Sequence, residues 1–127
     1  MKTCISIDLD NFEDYRSLVD PRGDPTGPSF YAAVPRFLDA LDRVGARATF
    51  FAIGRDLGCA GNRGTLREIA ARGHEVGNHS HTHPYDFCAL SRARKREEVA
   101  RLTPGLASDE SSYASGADFL LDGGATA

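Results

Sequence analysis

Hydrophobic residues along the first hundred positions follow two alternating periods, one typical of strands and one typical of helices. Short runs rich in β-branched or aromatic residues predict strands at 3–9 and 46–53, and the segment 74–78, which follows the second helix, is predicted as a third strand. Apolar residues spaced three and four apart predict a helix after each strand, at 30–44, 65–72 and 88–102. This order predicts an α/β fold in which about three βα units share a parallel sheet.

The segment 30–44 has the clearest helical stripe. Its apolar positions are Val34, Phe37, Leu38, Leu41 and Val44, with Pro35 in the first turn and Gly45 as terminator. The strand at 46–53 is almost continuously apolar, which is typical of a parallel strand covered on both faces. We therefore expect Phe50 and Phe51 in the core.

Prolines and glycines mark the connections. The segment 11–29 predicts a long loop, in which Phe12, Tyr15 and Arg16 either contact a ligand or pack back onto the body. The glycine-rich segment 54–64 lacks a phosphate-binding pattern and is interpreted as turns before the second helix.

The last predicted helix is highly charged, and the composition changes after it. Its charged residues are Arg92, Arg94, Lys95, Arg96, Glu97 and Glu98, which we interpret as a solvated face rather than a site for an anionic partner. Beyond residue 102 the chain consists mainly of Ser, Ala, Gly and Asp. We therefore predict a domain at 1–102 and an irregular, disordered tail at 103–127.

The composition of the chain mainly excludes certain partners and classes of protein. The 127 residues are 41% hydrophobic and 26% charged, which is ordinary for a soluble protein, and the net charge of -3 argues against a nucleic-acid partner. No apolar run reaches the ~18 residues of a membrane span and no secretory signal is seen, so we expect a cytoplasmic protein without a membrane partner. The three cysteines form no paired pattern and are expected to be free thiols.

All four histidines lie within ten positions, between His74 and His83. His79 and His83 have the spacing that puts two imidazoles on one face of a helical turn, where both can reach one divalent ion, and Pro84 ends that turn. A histidine-rich surface loop is the alternative. His74 begins the third strand and is expected to be structural, whereas His81 is expected to point away from the ion or to support its ligands.

Asp8 and Asp10 form a second candidate site, at the end of the first strand. Alternate residues of a strand point to the same side, so one carboxylate could bind metal while the other acts as a base. An acidic turn without chemistry is the alternative. Because the carboxyl ends of parallel strands meet at one edge, we expect these acids to lie beside His79 and His83.

Three segments together resemble the polysaccharide deacetylase family, carbohydrate esterase family 4. They are Ser6-Ile7-Asp8-Leu9-Asp10, the sequence ATFFAIG at 48–54 and the sequence GHEVGNHSHTH at 73–83. The resemblance runs from about residue 3 to about residue 102. It implies a distorted (β/α) barrel whose single divalent ion, expected to be zinc, is held by Asp10, His79 and His83, with Asp8 as the catalytic base.

The implied reaction is removal of N-acetyl groups from a carbohydrate, and no substrate-binding residue is identified. Many members carry adjacent aspartates where this chain has Asp8-Leu9-Asp10, so the reverse roles of the two acids stay open. Two alternative functions are hydrolysis of another small linear amide or ureide, and a non-catalytic truncated fragment that binds metal.

A closed barrel usually needs ~200 residues or more, so we expect a partial barrel here. The later family segments Arg-x-Pro-Tyr and Leu-x-His do not occur in the sequence. We therefore expect a fragment or a frame-changed chain that binds metal but deacetylates weakly or not at all. An open sheet edge is expected to promote self-association.

Overall fold

A computed structural model describes residues 4–11 and 30–101 of the chain. The strands are β1 (Ser6–Asp8), β2 (Thr49–Ala52) and β3 (Glu75–Asn78), and the helices are α1 (Val34–Val44), α2 (Ala60–Ala71) and α3 (Arg92–Ala100). Short 3-10 turns occupy Phe30–Ala33, Gly54–Gly58 and Phe87–Ala89. The predicted loop residues Phe12, Tyr15 and Arg16 and the predicted tail at 103–127 lie outside the described residues.

The three strands form one parallel sheet in the order β1-β2-β3. Across the sheet Ile7 pairs with Phe50, and Phe50 pairs with Val76. The predicted alternation of strand and helix is confirmed, and so is the α/β fold class. Within the described ranges β1 and β3 each have one neighbouring strand, and self-association through such an edge stays a prediction.

The core lies between one face of the sheet and the helices α1 and α2. Its buried residues include Phe50, Ala52 and Val76 from the strands and Val34, Leu38, Leu41, Leu66 and Ile69 from the helices. Burying one large apolar side chain stabilises a fold by about 1.5–3 kcal/mol. This interface, rather than intrinsic helix propensity, therefore holds short helices such as these in place.

The apolar stripe of α1 is narrower than predicted. Phe37 is 40% exposed and Val44 is 74% exposed, so neither belongs to the core. The residues that α1 buries against the sheet are Val34, Leu38 and Leu41. Pro35 does lie in the first turn, and Gly45 follows the helix with a φ of 64°, a left-handed conformation that glycine adopts without a steric penalty.

The expectation that β2 is covered on both faces is wrong for the described part of the chain. Phe50 is fully buried, whereas Phe51 is only half-buried on the opposite face. Phe51 lies over β3 at Gly77, where an added Cβ would stand 2.7 Å from ring atoms of Phe51. Glycine at this position therefore allows the ring to approach the neighbouring strand closely.

All three helices begin at other residues than predicted, and α1 begins at Val34 rather than at residue 30, after the 3-10 turn Phe30–Ala33. The helix α2 begins at Ala60 rather than at residue 65, and it includes the exposed Gly61 and Gly64. Each glycine costs about 1 kcal/mol in a helix, less than the burial of Leu66 and Ile69 contributes. The helix α3 begins at residue 92 rather than 88, because the Oγ of Ser91 caps it by accepting from a backbone N–H.

The described ranges contain neither a membrane-spanning helix nor a disulfide. None of the helices at 34–44, 60–71 and 92–100 is both long and apolar enough to cross a membrane. Cys4, Cys59 and Cys88 are all exposed and take part in no disulfide.

Candidate metal site

The strands β1 and β3 end at the same edge of the sheet, and this edge carries the candidate ligands. The N–H of Leu9 donates to the carbonyl of Phe51 at 2.9 Å, and the N–H of His79 donates to the carbonyl of Ala52 at 3.0 Å. The ladder thus continues past both strands. Asp10 consequently lies just beyond the end of β1 and His79 just beyond the end of β3, on either side of β2.

Asp10, His79 and His83 come together at this edge. The Oδ1 of Asp10 lies 3.3 Å from Nε2 of His79, and its Oδ2 lies 3.8 Å from Nε2 of His83. One ligand atom from each of the three residues lies within 4.8 Å of the others. Tetrahedral zinc sites with bonds of ~2.0–2.2 Å separate two ligand atoms by roughly 3.5 Å, so this donor set fits a single ion of that size.

Asp8 borders the same group from a more exposed position. Its Oδ2 lies 3.9 Å from Nε2 of His79, and its side chain is 54% exposed, against 7% for Asp10. Asp10 is thus the carboxylate that reaches both imidazoles from within the fold. Asp8 approaches one imidazole from the solvent side.

The predicted helical turn from His79 to His83 is wrong, because these residues form a loop. Ser80 has a φ of 63° and His83 a φ of 52°, both in the left-handed region. For residues other than glycine such a conformation costs of order 1–3 kcal/mol and persists only where the surroundings hold it. The two imidazoles therefore meet through loop geometry rather than through helical spacing.

The backbone of this loop is held from both sides. Every N–H from His79 to His83 has an acceptor. The N–H of His79 donates to the carbonyl of Ala52, and that of Ser80 donates to Oδ1 of Asn78. Those of His81 and Thr82 both donate to Oε2 of Glu98, and that of His83 donates to Oγ of Ser80. On the opposite side, the N–H groups of Gly54 and Arg55 donate to the carbonyls of Ser80 and His81, each at 2.9 Å.

Glu98 contradicts the expectation of a solvated helix face, because it is only 1% exposed. Burial alone would raise the pKa of this carboxyl. Hydrogen bonds from the backbone and hydroxyl of Thr82, the charge of Arg94 and a bond from the His81 backbone outweigh burial, so the pKa lies below its usual range. The sequence carried one signal that was missed, since in the helix predicted at 88–102 Glu98 lies four positions before an apolar residue and so shares its side.

Asn11 fixes the chain directly after Asp10, and sequence reasoning missed this role. Its Nδ2 donates to Oδ2 of Asp56 at 2.7 Å, and its Oδ1 accepts from the N–H of Phe30 at 3.2 Å. The Asp56 side chain is 11% exposed. The segment that follows β1 is thus tied to the segment that follows β2. No local pattern could have indicated a contact between such distant positions.

The other two histidines lie outside the ligand group. His74 is buried before β3, where its Nδ1 accepts from the N–H of Ala48 at 3.2 Å. Burial, followed by the charge of Arg47, lowers its pKa, which favours the neutral ring. His81 is held through its backbone, which donates to Glu98 and accepts from Arg55.

Tyr85 was also missed, although it follows His83 closely in the sequence. Its ring stands edge-on to the imidazole of His83, with centroids 5.1 Å apart, and it is 49% exposed. Partial burial, with the nearby charge of Asp10 as the next cause, raises the pKa of its phenol. An aromatic side chain thus borders the candidate metal site on the solvent side.

Comparison with known proteins gives a family for this fold. Residues 25–108, more than half of the chain, match the family model described as polysaccharide deacetylase. The chitin deacetylase of Colletotrichum lindemuthianum is 36% identical over 86 residues, which are 61% of this chain and 34% of that protein. The family 4 carbohydrate esterase from Streptomyces lividans, solved in complex with acetate, is 27% identical with a TM-score of 0.56 and covers 83% of this chain and 43% of that one.

A second, shorter match is to a protein of a different kind. A stretch of 39 residues is 56% identical to the 3-alpha-(or 20-beta)-hydroxysteroid dehydrogenase of Mycobacterium tuberculosis, which amounts to 31% of this chain and 15% of that protein. This coverage is too small to assign the chain to the dehydrogenases.

The deacetylase match extends from before α1 to beyond α3, so it contains β2, β3 and the histidine loop but begins after β1. The chain spans about a third of the length of the chitin deacetylase. The chain belongs to the polysaccharide deacetylase family, and the described part of it forms a three-stranded parallel sheet with helices.

Proposed function

We propose that this chain carries the metal centre of a metal-dependent deacetylase that removes N-acetyl groups from a carbohydrate. The observation that carries the proposal is the convergence of Asp10, His79 and His83 at the carboxyl edge of the sheet. The substrate class is supported by the similarity to a chitin deacetylase and to a carbohydrate esterase that was solved with acetate.

Asp10, His79 and His83 would hold the ion. Two imidazole nitrogens and one carboxylate oxygen form a donor set typical of catalytic zinc sites, in which a further position stays open. Both imidazoles direct Nε2 toward Asp10, and Nδ1 of His83 is buried without a hydrogen-bond partner among the described residues. When bound, a divalent ion supplies two effects, a lowered pKa of water and a polarised carbonyl group.

Asp8 would act as the proton acceptor. Its carboxylate is exposed and lies on the solvent side of His79, where it can take the proton of an attacking water at Oδ2. Asp10 is more deeply buried and reaches both imidazoles, which supports a role as ligand rather than as base. The geometry therefore favours one of the two assignments that the sequence left open.

The proposal can be tested on the chain and two variants, Asp10→Ala and Asp8→Asn. Isothermal titration should detect one zinc ion per wild-type chain, and Asp10→Ala should abolish measurable binding because it removes a charged ligand. Asp8→Asn should still bind zinc. Acetate release from N-acetylglucosamine oligomers is expected to be slow in the wild type and a further ~10²–10⁴-fold slower in Asp8→Asn, the range for loss of an acid or base.

Three outcomes would change the conclusion. A wild-type chain that binds no zinc, or an Asp10→Ala chain that binds it equally well, contradicts the metal centre. Loss of zinc binding in Asp8→Asn would exchange the roles of the two acids. Hydrolysis of a small linear amide or ureide, with no acetate released from the oligomers, would replace the substrate class.

A further inference from the structure

Glu98 lies on α3, outside the candidate ligand set, yet it binds the loop between the two histidine ligands. Its Oε2 accepts from the N–H of His81 at 3.2 Å and from the N–H of Thr82 at 2.8 Å. Its Oε1 accepts from the hydroxyl of Thr82 at 2.9 Å. One carboxylate therefore takes three hydrogen bonds from two consecutive loop residues.

This carboxylate is itself fixed in place. Its side chain is almost completely buried, and Nη2 of Arg94 lies 3.4 Å from Oε1 on the same helix. A buried charge is stable only when donors and an opposite charge surround it, so Glu98 has little freedom to move away from the loop. The helix is also tied to the end of β3, because Nδ2 of Asn78 donates to the carbonyl of Val99 at 3.1 Å.

The loop depends on such support because its backbone is strained. His83 is a ligand candidate with a φ of 52°, and Ser80 also has a positive φ. Residues hold such conformations only where neighbouring contacts over-determine them. The amides of Gly54 and Arg55 hold the loop by its carbonyls, and Glu98 holds it by its N–H groups. Without Glu98 two successive N–H groups lose their acceptor, and one side of this support is missing.

We propose that Glu98 is a positioning residue, which sets the separation of the His79 and His83 imidazoles for metal binding by anchoring the loop between them. The inference rests on the proposed function of the site, and it adds to that site a residue of α3, the helix that follows the histidine loop. Partners that orient metal ligands typically change metal affinity 10- to 100-fold when they are removed.

The test uses the whole chain with the variants Glu98→Ala, Glu98→Gln and Glu97→Ala. Glu98→Ala should weaken zinc binding ~10–100-fold and change the visible absorption of the cobalt-loaded chain, which reports ligand geometry. Glu98→Gln keeps an oxygen acceptor for the loop and should restore part of the affinity. Glu97→Ala is the matched control, because Glu97 is the adjacent, exposed carboxylate that pairs with Arg94 and Arg101, and it should leave both readouts unchanged.

Amide hydrogen exchange of the metal-free chain separates this inference from the proposed function. Glu98→Ala should speed exchange at His81 and Thr82, whereas Glu97→Ala should not. If the wild type binds no zinc but this exchange pattern appears, the metal centre fails and Glu98 still positions the loop. If Glu98→Ala does not fold, the decision passes to Glu98→Gln. Zinc affinity and cobalt absorption equal to the wild type in every folded Glu98 variant would overturn the inference.

Discussion

His74 and His79 lie at the two ends of the same strand and have opposite surroundings. His74 precedes β3, is 5% exposed and packs edge-on against the buried Phe50, with ring centroids 5.6 Å apart. His79 follows β3, and its Nε2 lies 3.3 Å from the carboxylate of Asp10. The same side chain is thus a core residue at one end of the strand and a candidate ligand at the other.

The pleat of the strand explains this difference. Side chains of a strand alternate between its faces, and an odd number of steps separates His74 from His79, so they point to opposite sides. The neighbouring strand does the same with Phe50, which contacts His74, and Phe51, which lies 6.1 Å from His79 between ring centroids. The side of the sheet and the end of the strand on which a histidine lies decide whether it can meet the acids.

Replacing the histidine at the carboxyl end should have the largest effect. His79→Ala removes one of two imidazoles, so we expect zinc affinity to fall more than ~100-fold, beyond the range for a supporting residue. Isothermal titration of zinc into the chain measures this loss. His74→Ala is the matched control and should bind zinc as the wild type does. Equal losses in both variants would mean that the comparison of the two strand ends is wrong.

Replacing the histidine at the amino end should affect stability instead. His74→Ala leaves the buried N–H of Ala48 without its acceptor, which costs about 1–3 kcal/mol in the free energy of unfolding. In the metal-free chain, His79→Ala should change this free energy by only ~0.5 kcal/mol, as is usual for partly exposed positions. Urea denaturation of both variants gives the two values. A larger loss for His79→Ala would show that the open end of the sheet also stabilises the fold.

The smallest expected effect is a pH dependence that belongs to His74. Burial lowers the pKa of this imidazole in the folded chain below the usual value of 6.5 that it has in the unfolded chain. The unfolded chain therefore takes up the proton first as the pH falls, so this contribution is present above pH 6.5 and is lost below it.

The measurement compares the free energy of unfolding of the metal-free wild type and of His74→Ala between about pH 7.5 and 5. The difference between them should shrink on acidification by less than ~1.4 kcal/mol per pH unit, the limit for a single proton. The other three histidines are present in both chains, so their titration cancels to first order. A difference that grows on acidification would contradict a lowered pKa.

Much of the fold could be predicted because its signals are local. The period of apolar residues separates strands from helices, and Gly45 marks the end of α1 by its tolerance of a positive φ. The exposure of Phe37 and Phe51 could not be predicted, since it depends on which faces of α1 and β2 another layer covers. Residues at 103–127 lie outside the described part of the chain, and their disorder stays a prediction.

The sequence by itself predicted that three side chains of the candidate site would meet. The period of a strand and the shared edge of a parallel sheet place Asp8, Asp10 and His79 together, and both follow from backbone geometry alone.

Only the tertiary structure decided how the site is held. The left-handed conformation of His83, the burial of Glu98 and the bond from Asn11 to Asp56 all depend on contacts with distant parts of the chain. The residues that meet at the site come from all three βα units, so the units must pack together before the site is complete. Glu98 lies on a highly charged helix, and it meets its partners in the histidine loop only when α3 packs against that loop.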